Sequence, residues 1–255
     1  MISTDHKFLF LRVPKSAGKS IDVALKRYYM PLPAVFRTID KNEREQKSFS
    51  QHFSYRDCLY HIDQQGLRQS QTEAATNRDC LHHFVPLDIS TFFKFAFVRN
   101  PWCRIASYYL SKQSRSARYM DKFIPSIKKK FCNWIKELGQ KDNSWYMKKP
   151  ERGFEHMAGT YPILGCQQIQ YLTEDMSTEG RIAVDFVGRF ESLRKDLDHI
   201  EEQIGIKINL PKRNLGKARG KKHYSLYYNE ESVAMIRDLF AKDIEYFGYE
   251  FEDRT

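Results

Sequence analysis

Cysteine is sparse in this 255-residue sequence, and what there is points to neither a disulfide framework nor a zinc centre. The five residues Cys58, Cys80, Cys103, Cys132 and Cys166 stand far apart, with no C-x-x-C spacing. A zinc site is not expected from such a pattern. An odd, scattered set suits the reduced thiols of a cytosolic compartment. No apolar run approaches the roughly 18 residues of a membrane span. The first residues lack the basic-then-apolar pattern of a secretory signal, although a chain trimmed of its anchor would read the same way. Internal repeats and low-complexity linkers are missing too. Acidic charge falls short of basic charge: 32 Asp and Glu against 42 Lys and Arg, a formal net charge of +10. That excess favours an anionic partner, whether nucleic acid, an acidic membrane face, a polyanion or a phosphorylated cofactor. Charge alone does not choose among them.

What is present fits an ordinary globular chain, 41% apolar and 29% charged, long enough to bury a substantial core. Residues 7–13, KFLFLRV, read as a short buried strand. A helix is expected over 20–30, with Ile21, Ala24, Leu25 and Tyr28 on one face and Pro31 closing it. Residues 92–98, FFKFAFV, read as a second strand, and Asn100-Pro101 as the N-cap and first position of a helix. VDFVG at 184–188 gives a third strand. Leu193, Leu197, Ile200 and Ile204 then recur at helical spacing before Gly205. One last helix is expected over 230–247. Short apolar strands followed by helices predict an α/β fold with a central parallel sheet flanked by helices, in a single domain over 1–255. Residues 33–80 and 112–165 carry less pattern and read as mainly helical insertions on the acceptor side. Within the second, residues 112–152 hold twelve Lys/Arg against four Asp/Glu, with Trp134, Trp145 and Tyr146 interleaved. That segment fits either an acidic-glycan surface or an ordinary amphipathic helix with Phe123, Ile127, Phe131 and Ile135 inward.

The sharpest local signal is VPKSAGKS at 13–20, between the first strand and the first helix. A strand, a small-residue loop and a helix start make an anion site, because backbone N–H groups point outward and the helix dipole favours negative charge. Lys15 and Lys19 add charge and Ser20 a hydroxyl. The segment ends like a P-loop, but Val13 stands where G-x-x-x-x-G-K-[ST] needs its first glycine, and Pro14 removes a donor. No convincing acidic strand end for Mg²⁺ is found either; Asp185 in VDF comes nearest. A helix start with solvated lysines is the plain alternative.

The second signal is FAFVRNPWCRIASYY at 95–109, a buried strand ending in Arg99 and a capped helix with Ser107 two turns in. Together with PKSAGKS it resembles the sulfotransferases that use 3′-phosphoadenosine-5′-phosphosulfate (PAPS), which have a P-loop-like core. VDFVGRFESL at 184–193 and the segment 223–251 are similar to the closing segments of the bacterial branch of the carbohydrate-type, membrane-associated class. The resemblance implies a sulfuryl transfer from PAPS, leaving PAP, to a hydroxyl of a carbohydrate or glycolipid, with no metal. It implies that Lys15, Ser16, Ala17, Gly18, Lys19 and Ser20 hold the 5′-phosphosulfate, Lys15 also acting on the bridging oxygen. Arg99 and Ser107 would hold the 3′-phosphate. Cys103 departs from the pattern, since an acidic residue is common there.

The same resemblance points to His83, in CLHHFVPLDI, as the base for the acceptor hydroxyl; His82 is one residue off register. His52 and His61 are weaker candidates, and Glu43, Glu45 or Glu73 could serve in their place. Arg219 and Lys221 would belong to a loop closing over the nucleotide, although a solvated charge run reads the same way. Arg189 is expected to be structural. The alternatives are a nucleotide kinase or NTPase with a degenerate P-loop, a sulfotransferase-like protein that binds PAP without turnover, and a basic nucleic-acid-binding module. The last leaves Arg99 and Ser107 at a helix start unexplained. Cytoplasmic location is expected, with peripheral contact at the inner membrane face open and a trimmed Golgi-type lumenal domain as the rival.

Overall fold

The structure, a computed structural model, describes residues 1–28, 88–112, 124–140, 166–211 and 222–254. In chain order the elements are β1 (Ile2–Ser3), β2 (Phe8–Leu11), α1 (Gly18–Leu25), β3 (Phe93–Val98), α2 (Pro101–Lys112), α3 (Ile124–Gln140), β4 (Phe186–Arg189), α4 (Leu193–Ile204), α5 (Glu230–Leu239) and α6 (Ala241–Phe247). Short 3-10 turns lie at Ile169–Tyr171, Phe190–Ser192 and Tyr224–Tyr227.

The strands are nearly continuous apolar runs because both faces of the sheet are covered. Phe8, Phe10, Phe95 and Phe97 face Ile21 and Leu25 of α1 and Leu197, Ile200 and Ile204 of α4. Leu9, Leu11, Ala96 and Val98 face the other way, against Ile169, Tyr171, Leu172, Phe247 and Tyr249. Period-two alternation thus divides each strand between two cores. A third core, around Trp102, Tyr109, Phe131, Tyr228 and Phe240, joins α2, α3 and α5.

The sheet order is β1-β2-β3-β4. β2, β3 and β4 are parallel, as the α/β pattern predicts. The expected wholly parallel sheet needs correction at its edge. β1 pairs antiparallel with β2, Ile2 opposite Leu9 and Ser3 opposite Phe8. Only four residues separate the two strands, enough for a turn and too few for the crossover that parallel pairing requires.

Two helix boundaries also differ from expectation. α1 ends at Leu25, and the Tyr28 N–H closes on the Leu25 carbonyl at 2.8 Å. This tightened turn carries Tyr28 off the Ile21–Leu25 stripe and leaves it exposed. The expected single helix over 230–247 breaks at Phe240 (φ −120°, ψ 31°). The break lets α5 face the helical core through Ile236 and Phe240 while Phe247 of α6 reaches the sheet. One straight helix would not serve both. α4 ends as expected at Gly205, whose φ of 68° suits a residue without a side chain.

Candidate active site

The parallel register sets the site. β2 and β3 pair with Leu11 opposite Ala96, and β3 and β4 with Val98 opposite Arg189. Carried past the strand ends, these registers bring the 12–17 loop, Arg99 and Phe190 side by side at one edge. Ligands of open parallel sheets bind outside the carboxyl ends of the strands.

The loop turns sharply. Lys15 (φ 68°) and Ala17 (φ 64°) both take the left-handed conformation, which is uncommon for residues with side chains and marks a constrained segment. Ala17 forms the N-cap of α1, its carbonyl accepting the Ser20 N–H at 2.8 Å. Gly18 opens the helix under the Arg12 side chain: a Cβ there would lie 2.5 Å from Arg12 Cγ. Arg12 is buried and reaches Asp22 at 3.4 Å. Lys19 is exposed, Lys15 and Ser20 half-buried, and Ser16 buried. A cationic loop over a helix N-terminus can hold an anion.

Arg99 meets this loop directly: its Nη1 donates to the Lys15 carbonyl at 3.3 Å. Its Nε and Nη2 lie on the Cys103 sulfur at 3.3 and 2.9 Å, and its guanidinium covers the Phe190 ring at 3.9 Å. Asn100 caps α2 as the sequence predicts, its Oδ1 accepting the Cys103 N–H at 3.3 Å. Ser107 lies one turn beyond Cys103 on the same helix and is buried. Glu191 ties down the helix entry by accepting the Asn100 N–H at 2.9 Å. Arg189 sits over the Tyr249 ring at 5.1 Å and donates to the Phe247 carbonyl, a structural role.

Behind the loop lies a buried polar network that sequence reasoning did not assign. Gln168 Oε1 accepts from the Ser16 hydroxyl at 3.1 Å and from the Arg99 N–H at 2.9 Å. Its Nε2 donates to the Arg99 carbonyl at 2.8 Å. The Asp243 carboxylate accepts the Gln168 N–H (2.8 Å) and the Ile169 N–H (2.9 Å), and Arg104 Nη1 stands 3.9 Å away. Arg104 Nε donates to the Pro14 carbonyl at 3.2 Å. Burial pushes the Asp243 carboxyl above its ordinary range, against the pull of Arg104 and the backbone N–H groups, and pushes Arg104 below its own. The available signals were Arg104 inside the quoted RNPWCR run and a carboxylate at 243 on the apolar stripe of Ile236, Phe240 and Phe247. Nothing in the CQQIQ segment distinguishes Gln168 from its neighbours.

Two observations count against the ATP-type alternative. Val13, at the first-glycine position, is a core residue 1% exposed. Asp185 lies at the start of β4, the far end of the sheet, where its Oδ2 accepts the Lys94 N–H at 2.7 Å and pairs with Lys94 Nζ at 3.1 Å. The basic 112–152 segment, where described, is an amphipathic helix. α3 buries Phe131, Ile135 and Leu138, and Trp134 packs on Tyr108 and Tyr109. His82, His83, His52, His61, Glu43, Glu45, Glu73, Arg219 and Lys221 lie outside the described residues. Among the described residues no group of three His, Cys, Asp or Glu could hold a metal, and no helix is long and apolar enough to cross a membrane.

An α/β sheet thus carries two cationic segments at the ends of adjacent parallel strands, a place where an anion can bind. Residues 1–250 match the sulfotransferase family, and the chain belongs to it. Carbohydrate sulfotransferase 14 of Danio rerio is 24% identical over 271 residues, an alignment that covers all of this chain and 63% of that protein. The chain thus spans under two thirds of that relative's length. No solved structure matches.

Proposed function

We propose that the chain transfers the sulfuryl group of PAPS to a hydroxyl of a carbohydrate or glycolipid. The observation that carries this reading is the contact between the Arg99 guanidinium and the Lys15 carbonyl. It joins two cationic segments 84 residues apart in sequence. A nucleotide with phosphates at both its 3′ and 5′ positions needs two such grips at a fixed separation. The donor set suits that ligand: a planar guanidinium for one phosphate, and backbone N–H groups, Lys15, Lys19 and Ser20 for the other. In this P-loop-like arrangement the cofactor, when bound, supplies an activated sulfuryl group. The protein's own part is positional and electrostatic. Lys15 would neutralise charge at the bridging oxygen, Gly18 to Ser20 would hold the 5′-phosphate, and Arg99 with Ser107 would hold the 3′-phosphate. In this reading Arg219 and Lys221 would close over the nucleotide.

An acceptor hydroxyl loses its proton as the new bond forms, and His83, with His82 beside it, is the base in this reading. A carbohydrate acceptor is supported by the similarity to the carbohydrate sulfotransferase of Danio rerio. Calorimetric titration with PAP, and in parallel with ADP and with ATP plus Mg²⁺, tests the cofactor. Tight, metal-independent PAP binding that weakens without the 3′-phosphate is expected. Mg²⁺-dependent ATP binding with no PAP binding would overturn the reading. His83→Ala should abolish transfer and spare PAP binding; full turnover in that variant would remove the residue from its role.

A further inference from the structure

We infer that Gln168 is a positioning residue that locks the two phosphate grips at a fixed separation, and thereby sets the preference for a 3′,5′-bisphosphorylated nucleotide. This rests on the cofactor reading above. Gln168 is fully buried and its side-chain amide spends its hydrogen bonds on both grips. Oε1 accepts from Ser16 of the loop after β2 and from the N–H of Arg99 at the end of β3. Nε2 returns a bond to the Arg99 carbonyl. The orientation of the amide follows from these partners, since the reverse would set an NH₂ against the Arg99 N–H.

The residue is itself held from behind. Its N–H binds Asp243, which faces Arg104, and Arg104 returns to the loop at the Pro14 carbonyl. The circuit runs loop, Gln168, Asp243, Arg104 and loop again, with Arg99 attached at Gln168. Each grip therefore touches the same buried amide.

A ligand with two phosphates gains from this. Once one phosphate is seated, the second meets its grip at an effective concentration set by how rigidly the two are spaced. Loosening the spacing lowers the gain from the second phosphate and leaves the first nearly untouched. The readout is the affinity ratio of adenosine 3′,5′-bisphosphate to adenosine 5′-monophosphate, which a general loss of stability does not move.

The test replaces Gln168 by methionine, similar in volume and without the hydrogen bonds, and measures both affinities by calorimetry in the full chain. The bisphosphate preference of the wild type should fall by on the order of tenfold, about the net worth of one of the three hydrogen bonds lost, with monophosphate affinity changed less than about threefold. A wild-type preference kept intact in Gln168→Met overturns the inference and leaves the cofactor reading standing. No preference in the wild type overturns the cofactor reading and this inference with it. If circular dichroism shows Gln168→Met unfolded, Ser16→Ala decides. It removes one bond of the same latch, and the ratio should fall by a few-fold; an unchanged ratio refutes the latch.

Discussion

The buried pair of Arg104 and Asp243 gives the most quantitative test of the fold behind the site. Both side chains are fully buried, 3.9 Å apart. At an effective dielectric near 20 their attraction is on the order of 4 kcal/mol. Desolvation opposes it on both sides, raising the Asp243 pKa and lowering that of Arg104. The net worth of the intact pair is therefore small, and the large quantity is the cost of removing one member. Asp243→Ala leaves Arg104 as an uncompensated buried charge. It also strips the acceptor from two backbone N–H groups, those of Gln168 and Ile169. We expect a loss of about 3–5 kcal/mol. At roughly 2–4 °C per kcal/mol for a chain of this size, Tm falls by about 6–20 °C.

Urea unfolding followed by circular dichroism measures this, with Arg104→Met and the double variant completing a cycle. The double variant should be less destabilised than the sum of the two single changes, by at least ~1 kcal/mol, because the stranded charge is gone. Arg104→Met forfeits the Pro14 contact as well, so the coupling reports the charge pair and not the loop. Additive effects, or a loss below ~1 kcal/mol in Asp243→Ala, would refute the reasoning. Either result would mean that water or another group compensates Arg104.

Other expectations follow from the same contacts. Gly18→Ala places a Cβ 2.5 Å from Arg12 Cγ, so the buried Arg12 must shift; destabilisation of about 1–3 kcal/mol and weaker PAP binding are expected in thermal melts and calorimetry. Glu201 is buried, and burial raises its pKa, but Arg194, the Ile208 N–H and Lys207 together pull it below 4.5. Its contribution is present above that value and lost as pH falls through the depressed one. Glu201→Gln should thus cost about 1–2 kcal/mol at neutral pH, kept modest because Arg194 and Lys207 are solvated; the gap to wild type should close in acid titrations. His223 is depressed from 6.5 by burial and then by Arg254, against Glu252 and Asp253. Its share of stability is full above pH 6.5 and falls as pH drops through the lowered value, so the Tm of wild type should fall more steeply between about pH 7 and 5 than that of His223→Asn. Parallel profiles would show that His223 does not carry this limb.

The sequence makes the site's front legible and its back nearly silent, and the reason lies in the range of the interactions. FLFL and FKFAFV are readable because a strand buried on both faces needs apolar residues at nearly every position. Asn100-Pro101 is readable because a cap acts within one turn. The antiparallel β1 was missed because two residues carry no periodicity. The break at Phe240 was missed because each half of 230–247 has the apolar stripe of a helix, and only the two separate cores force them apart.

Gln168 and Asp243 differ in kind. Each is a polar residue whose partners lie 69 to 152 positions away in sequence, so no local pattern reports them. A carboxylate on an apolar stripe could still have been flagged at 243, since a buried charge must be paired or hydrogen-bonded. The glutamine offers no such clue, as a neutral amide reads equally well at the surface. What identifies it is arithmetic at the strand ends: the N–H and carbonyl of Arg99 need partners once β3 has ended, and Gln168 supplies both. The groups that hold an anion are therefore carried by short motifs, whereas their mutual distance is carried by a side chain that the motifs do not contain.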